Sequence, residues 1–115
     1  MISPTDLIDE LNQLGEDLNK AQRIFCQAKV SNTRLDKIKK IKLAQIISIT
    51  GGTSYADKER KALITNEWVD WNSSLTESEC RLIEATSDRD IKDTLHQDCV
   101  MKISLLKNEI RTFGG

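Results

Sequence analysis

Few residues in this chain can do chemistry, and their spacing limits what that chemistry could be. His96 and Cys99 stand three apart, so on a helix they share a face with the geometry of half a zinc site. A closed site needs two more ligands, and the other thiols, Cys26 and Cys80, lie far off in sequence. A seam histidine beside a buried thiol is the simpler reading. Ferritin-like di-iron chemistry needs two Glu-x-x-His pairs, and the single histidine supplies only Asp93-x-x-His96. The acids Asp6, Asp9, Glu10, Asp90 and Asp93 are a second candidate. All-helical, magnesium-dependent nucleotide pyrophosphatases gather carboxylates from neighbouring helices in this way. Those sites favour Glu-Glu-x-x-Glu, however, and only Asp6-x-x-Asp9-Glu10 comes near. An acidic first turn that complements the helix dipole explains Asp6 and Asp9 without a metal. Gly51-Gly52-Thr53-Ser54 lacks the lysine and the preceding strand of a phosphate loop. No nucleophile elbow or Ser/His/Asp set is present, so the reading assigns no catalytic residue, no metal and no cofactor.

Two further groups point to binding. Lys29, Arg34, Lys37, Lys39, Lys40 and Lys42 form a basic segment that could neutralise nucleic-acid phosphates. Its isoleucines recur at helical spacing, so the lysines are better read as flanking an apolar seam and pairing with acids on a partner helix. Tyr55, Trp68 and Trp71 are not interleaved with the run, so stacking platforms for bases are missing. Trp68 and Trp71 lie three apart and share a helix face; they are either packed core or an exposed hot spot for a partner.

The elements that position these residues are helices. The chain has 115 residues, enough for a single domain, with 30% charged, 38% hydrophobic and 4% aromatic residues. Such a chain forms long amphipathic helices with a narrow seam and often completes its core by self-association. No stretch approaches 18 consecutive apolar residues, and Met1 to Asp6 does not resemble a signal peptide. Three widely spaced cysteines read as reduced thiols. A soluble cytoplasmic protein is therefore expected.

Ser3 and Pro4 open the first helix, with Asp6 at the third position of a capping box. Leu7, Leu11, Leu14, Leu18, Ala21, Phe25 and Ala28 then alternate at spacings of four and three, a heptad seam. Leu35, Ile38, Ile41 and Ile46 continue it as a looser stripe, with Ser31-Asn32-Thr33 the weakest stretch. Gly51-Gly52 ends this helix, through left-handed dihedrals open to glycine, and Thr53 or Ser54 caps the next. Trp68, Trp71, Leu75, Ser78, Leu82 and Ala85 make a second heptad. It meets Arg89 and Lys92, then resumes with Cys99, Ile103, Leu106, Ile110 and Phe113, while a shifted stripe adds Ile91 and Leu95. Neither Gly nor Pro occurs between Thr53 and Phe113, which favours one continuous helix over two joined near Thr86 and Ser87. The expected fold is all-α: a single domain over 1–115 with helices at about 4–49 and 54–112, a turn at 50–53, and an antiparallel, coiled-coil-like hairpin in an oligomeric bundle.

Charge is segregated along the chain. Residues 1–19 carry five acids and no lysine or arginine, residues 20–42 carry eight cations against Asp36, and residues 67–98 carry nine acids. Folding about Gly51-Gly52 sets the basic block opposite Glu67, Asp70, Glu77 and Glu79, a favourable match. The same register sets Asp6, Asp9 and Glu10 against Asp90, Asp93 and Asp98. The second helix would overhang the first by about a dozen residues at ~1.5 Å each. That overhang carries Ile103, Leu106, Ile110 and Phe113, and an exposed apolar stripe marks an interface. These four residues, with Leu7, Leu11, Leu14, Leu18, Trp68 and Trp71, are the expected interface of a homo-oligomer, most simply a dimer.

The segment Gly51-Gly-Thr-Ser-Tyr-Ala-Asp-Lys-Glu-Arg-Lys-Ala62 and the closing Ile103-Ser-Leu-Leu-Lys-Asn-Glu-Ile-Arg111 resemble the layout of small all-helical accessory proteins encoded by tailed phages. The likeness covers about the last 60 residues. It implies a protein acting by binding in the host cytoplasm, on host machinery or beside phage DNA metabolism, and it carries over no functional residue. The leading expectation is a non-enzymatic interaction protein. Nucleic-acid binding through residues 29–42 and a magnesium-dependent pyrophosphatase are the alternatives.

Overall fold

The computed structural model describes residues 3–114, with side chains through Arg111. It is all-helical: α1 spans Pro4–Ile49, α2 Tyr55–Leu63 and α3 Asn66–Gly114. Ser3 caps α1 as its sequence predicts. Its hydroxyl accepts from the Asp6 N–H at 3.1 Å, and the Asp6 carboxylate accepts from the Ser3 N–H at 3.4 Å. No break occurs at Ser31-Asn32-Thr33.

The end of α1 departs from expectation in its means. Among the described residues no glycine has positive φ. Thr50 closes the helix instead, donating its hydroxyl to the Ile46 carbonyl at 2.6 Å and its N–H to Ile47 at 3.1 Å. Gly52 is needed for close approach: a Cβ there would sit 2.9 Å from both Asp57 Oδ2 and Lys58 Cγ, inside van der Waals range. The first turn of α2 is pressed against the glycine. Ser54 caps that turn, accepting from the Asp57 N–H at 3.2 Å, and Asp57 accepts from the Thr53 N–H at 3.2 Å.

The second helical segment is not continuous over 54–112, and its interruption lies nowhere near Ser87. It falls at Ile64-Thr65. Thr65 acts on both sides of the break: its hydroxyl donates to the Ala62 carbonyl at 2.7 Å and accepts from the Trp68 N–H at 3.2 Å. One side chain ends α2 and caps α3. Through Ser87 the helix runs on, and the Arg89 guanidinium donates to Asp90 at 3.1 Å.

The chain divides into two compact units: residues up to Cys26 with those from Glu84 onward, and Gln27–Ile83. In the first, the two helical stretches run antiparallel. Cys99 Sγ donates to the Leu7 carbonyl at 3.7 Å, Gly15 lies against His96, and the Arg89 guanidinium sits 4.0 Å from the Phe25 ring centroid. A fold about Gly51-Gly52 would have set Leu7 at His96; the register is displaced toward the C-terminus because the chain between the helices also holds α2 and the Thr65 break. Leu7, Ala21, Ala85 and Cys99 are buried there. In the second unit Ile46 and Ile47 pack with Ala62 and Trp68 in a core flanked by Leu43 and Trp71. The two indoles stack with centroids 5.5 Å apart, and Lys42 reaches Glu67 at 3.1 Å, one of the ion pairs the charge blocks predict.

Candidate interaction surface

Burial along α1 keeps a four-three rhythm that skips only the exposed Lys39. Leu7, Leu11, Leu14, Leu18, Ala21, Phe25 and Ala28 are buried or half-buried, as the heptad predicts, and Asn32, Leu35, Lys42 and Ile46 continue the same row. Ile38 and Ile41 do not belong to it; they are 43% and 59% exposed and lie on another face. The α3 row is equally regular. Trp68, Trp71, Leu75, Ser78, Leu82 and Ala85 lead into Arg89, Lys92, His96, Cys99, Ile103 and Leu106, all buried or half-buried. The interruption at Arg89 and Lys92 is thus a polar tier within an unbroken seam. Arginine and lysine can occupy such positions because their aliphatic stems bury while the charged heads reach outward. Here the Arg89 head also lies over the Phe25 ring, a cation–π contact.

The expected interface residues therefore divide. Leu7 and Trp68 are buried and Leu11, Leu14, Leu18, Trp71, Ile103 and Leu106 half-buried, so most of them serve the packing within the chain. Ile110 is exposed at 56%, and the Phe113 side chain lies outside the described residues. Trp68 lies in the core and Trp71 packs against it.

Asparagine at a seam position introduces a conflict. Asn32 Oδ1 is buried and accepts no hydrogen bond within the chain. An orphaned buried acceptor costs about 1–3 kcal/mol, and a polar seam residue is a known means of fixing register.

The candidate chemistry disperses. Among the described residues no three His, Cys, Asp or Glu side chains converge as a metal site. Asp6 is engaged in the α1 cap, Asp90 with Arg89, and Asp93 with the Gln97 amide at 3.0 Å. Cys99 is buried, whereas Cys26 and Cys80 are exposed. In the basic segment Lys29, Arg34, Lys37, Lys39 and Lys40 are exposed and Lys42 is half-buried at Glu67. Asp57 has the most shifted acidity on this surface. The Arg60 side chain, then Lys61 and the Thr53 N–H, hold its pKa at about 2.

Beside the seam, each unit carries a second row of exposed residues at heptad spacing. In the first unit Glu84, Asp88, Ile91, Leu95 and Asp98 follow one another along α3 at four and three. Ile91 and Leu95 are 55% and 46% exposed. The row continues into a groove of about 310 Å³ lined by Glu10 and Leu14 of α1 and by Leu95, Met101 and Leu105 of α3. In the second unit Arg34, Ile38 and Ile41 follow at four and three on α1, with Val30 one turn earlier and Lys37 beside them. Sequence reasoning had placed Ile91 and Leu95 on a shifted stripe and had merged Ile38 and Ile41 with the seam. The missed signal was their offset from the four-three rhythm. The units also differ in charge: the first holds eleven acids against seven bases, the second seven acids against ten bases.

Among the described residues no helix is long and apolar enough to cross a membrane. No protein-family model matches the chain, and neither the curated proteins nor the solved structures include a significant match to it.

Proposed function

We propose that this chain is a non-enzymatic helical interaction protein that self-associates, most simply as a dimer, and engages a protein partner through the assembled helices. The observation that carries the reading is exposed surface. Much of the open surface is apolar, including Ile8, Ile24, Ile38, Ile41, Ile91 and Met101. A helix with two adjacent heptad rows belongs between two neighbours, as in a coiled-coil bundle. On the resemblance to phage accessory proteins, the further partner belongs to host machinery or to phage DNA metabolism.

Light scattering behind size exclusion at low and high salt tests the reading; a dimer or larger species is the expected result. A monomer at every concentration and salt removes it. The exposed cations Arg34, Lys37, Lys39 and Lys40 favour nucleic acid as a second reading. It requires retention on DNA at low salt and a steep loss of affinity as salt rises. The pyrophosphatase reading has no converging carboxylate set among the described residues to support it.

A further inference from the structure

We propose that the second copy docks crosswise: the acidic row of α3 in one chain, Glu84, Asp88, Ile91, Leu95 and Asp98, packs against the basic row of α1 in the other, Val30, Arg34, Ile38 and Ile41 with Lys37. The inference rests on the self-association reading and specifies which surfaces make the contact. Three features meet in these two rows. Both combine exposed aliphatic side chains with charges at heptad spacing, the pattern of a helix flank that packs on another helix. Their charges are opposite, acids on one and Arg34 and Lys37 on the other, and the surrounding units carry the same imbalance. Pairing like with like would oppose Glu84 and Asp98 to acids, or Arg34 and Lys37 to cations, without compensation. Complementary potentials select the crosswise arrangement and disfavour the alternatives. Each chain carries both rows, so each chain supplies both halves of the contact.

Charge reversal provides the test. One variant combines Arg34→Glu with Lys37→Glu; the other combines Glu84→Lys with Asp98→Lys. All four residues are exposed and lie outside the seam, so the helical circular dichroism of both variants should match the natural chain. Sedimentation velocity is then run on each chain alone and on an equimolar mixture. The expected result is a homodimer dissociation constant raised at least tenfold for each variant, with affinity regained in the mixture, where one chain is acidic on both rows and the other basic. Variants that self-associate as tightly as the natural chain, with a mixture that gains nothing, overturn the crosswise contact and leave self-association standing. A natural chain that is monomeric throughout overturns both, and assigns the rows to a different partner.

Discussion

The two units solve the same packing problem with different materials. The unit over Gln27–Ile83 gathers Ile46, Ile47, Ala62 and Trp68 into a core and closes it with the stacked Trp71. A third element, α2, lies across it, and both ends of the connection are hydrogen-bonded by threonines. The unit holding the chain's ends has two helical stretches only. Its buried side chains, apart from Leu7, are small: Ala21, Ala85 and Cys99. Its seam includes Arg89, Lys92 and His96. Its α1 row is mainly leucines and Phe25, but its α3 row from Ala85 to Cys99 is small or polar, so this unit depends more on what covers its outer row. A third helix and a stacked tryptophan pair fill one core, whereas the other unit packs Phe25 beneath Arg89 in a seam of two helical stretches.

The largest expected effect breaks the comparison at its stronger side. Trp68→Ala removes the indole that both the core and its neighbour Trp71 pack against, and should cost about 3–5 kcal/mol, measured by urea unfolding. If the loss is no larger than that of Leu7→Ala, the two units do not differ in the way described. Thr65→Ala is next. It deletes the hydroxyl that serves two helix ends and should cost about 1–2 kcal/mol, with Thr65→Ser recovering most of it. Native-state hydrogen exchange should then show earlier opening of α2 than of α3.

Two smaller effects sharpen the contrast. Gly15→Ala places a methyl group 3.8 Å from His96 Nε2, in ordinary contact, and removes a glycine from a helix interior. It should stabilise the weaker unit by about 0.5–1 kcal/mol, seen as a higher melting temperature. Asp57 gives the smallest. Its folded-state pKa of about 2 lies below the ordinary 3.8, so its contribution is full above pH 3.8 and is lost as pH falls through 2. A carboxyl titration by NMR should find its midpoint near 2, and Arg60→Ala should move that midpoint upward.

Legibility in the sequence followed apolarity. The α1 seam from Leu7 to Ala28 was readable because leucines at four-three spacing have few other meanings, and the caps at Ser3 and Ser54 because Ser-x-x-Asp there coincides with a helix start, as it does not at Ser87. The seam beyond Ala28 was not, because Asn32 and Lys42 hold positions where apolar residues were sought, and Ile38 and Ile41 drew attention to the wrong face. Arg89, Lys92 and His96 concealed the continuity of α3 in the same way. The break before α3 escaped because it uses neither glycine nor proline; a single threonine hydroxyl does the work of both. At Gly52 the reason for glycine is crowding by Asp57 and Lys58, not handedness. The candidate site was legible only in fragments, since an outer row shows itself as such only once the inner one is fixed.

Cys99 gives the weaker unit a built-in clock. Its thiol is 1% exposed and tied to the Leu7 carbonyl, while Cys26 and Cys80 face solvent. A thiol reagent will therefore label two positions at once and the third only when the helices part, so the lag before the third label times the opening of that pair. Anything that docks on the outer rows and steadies the unit will lengthen the lag, without any probe being added to the chain.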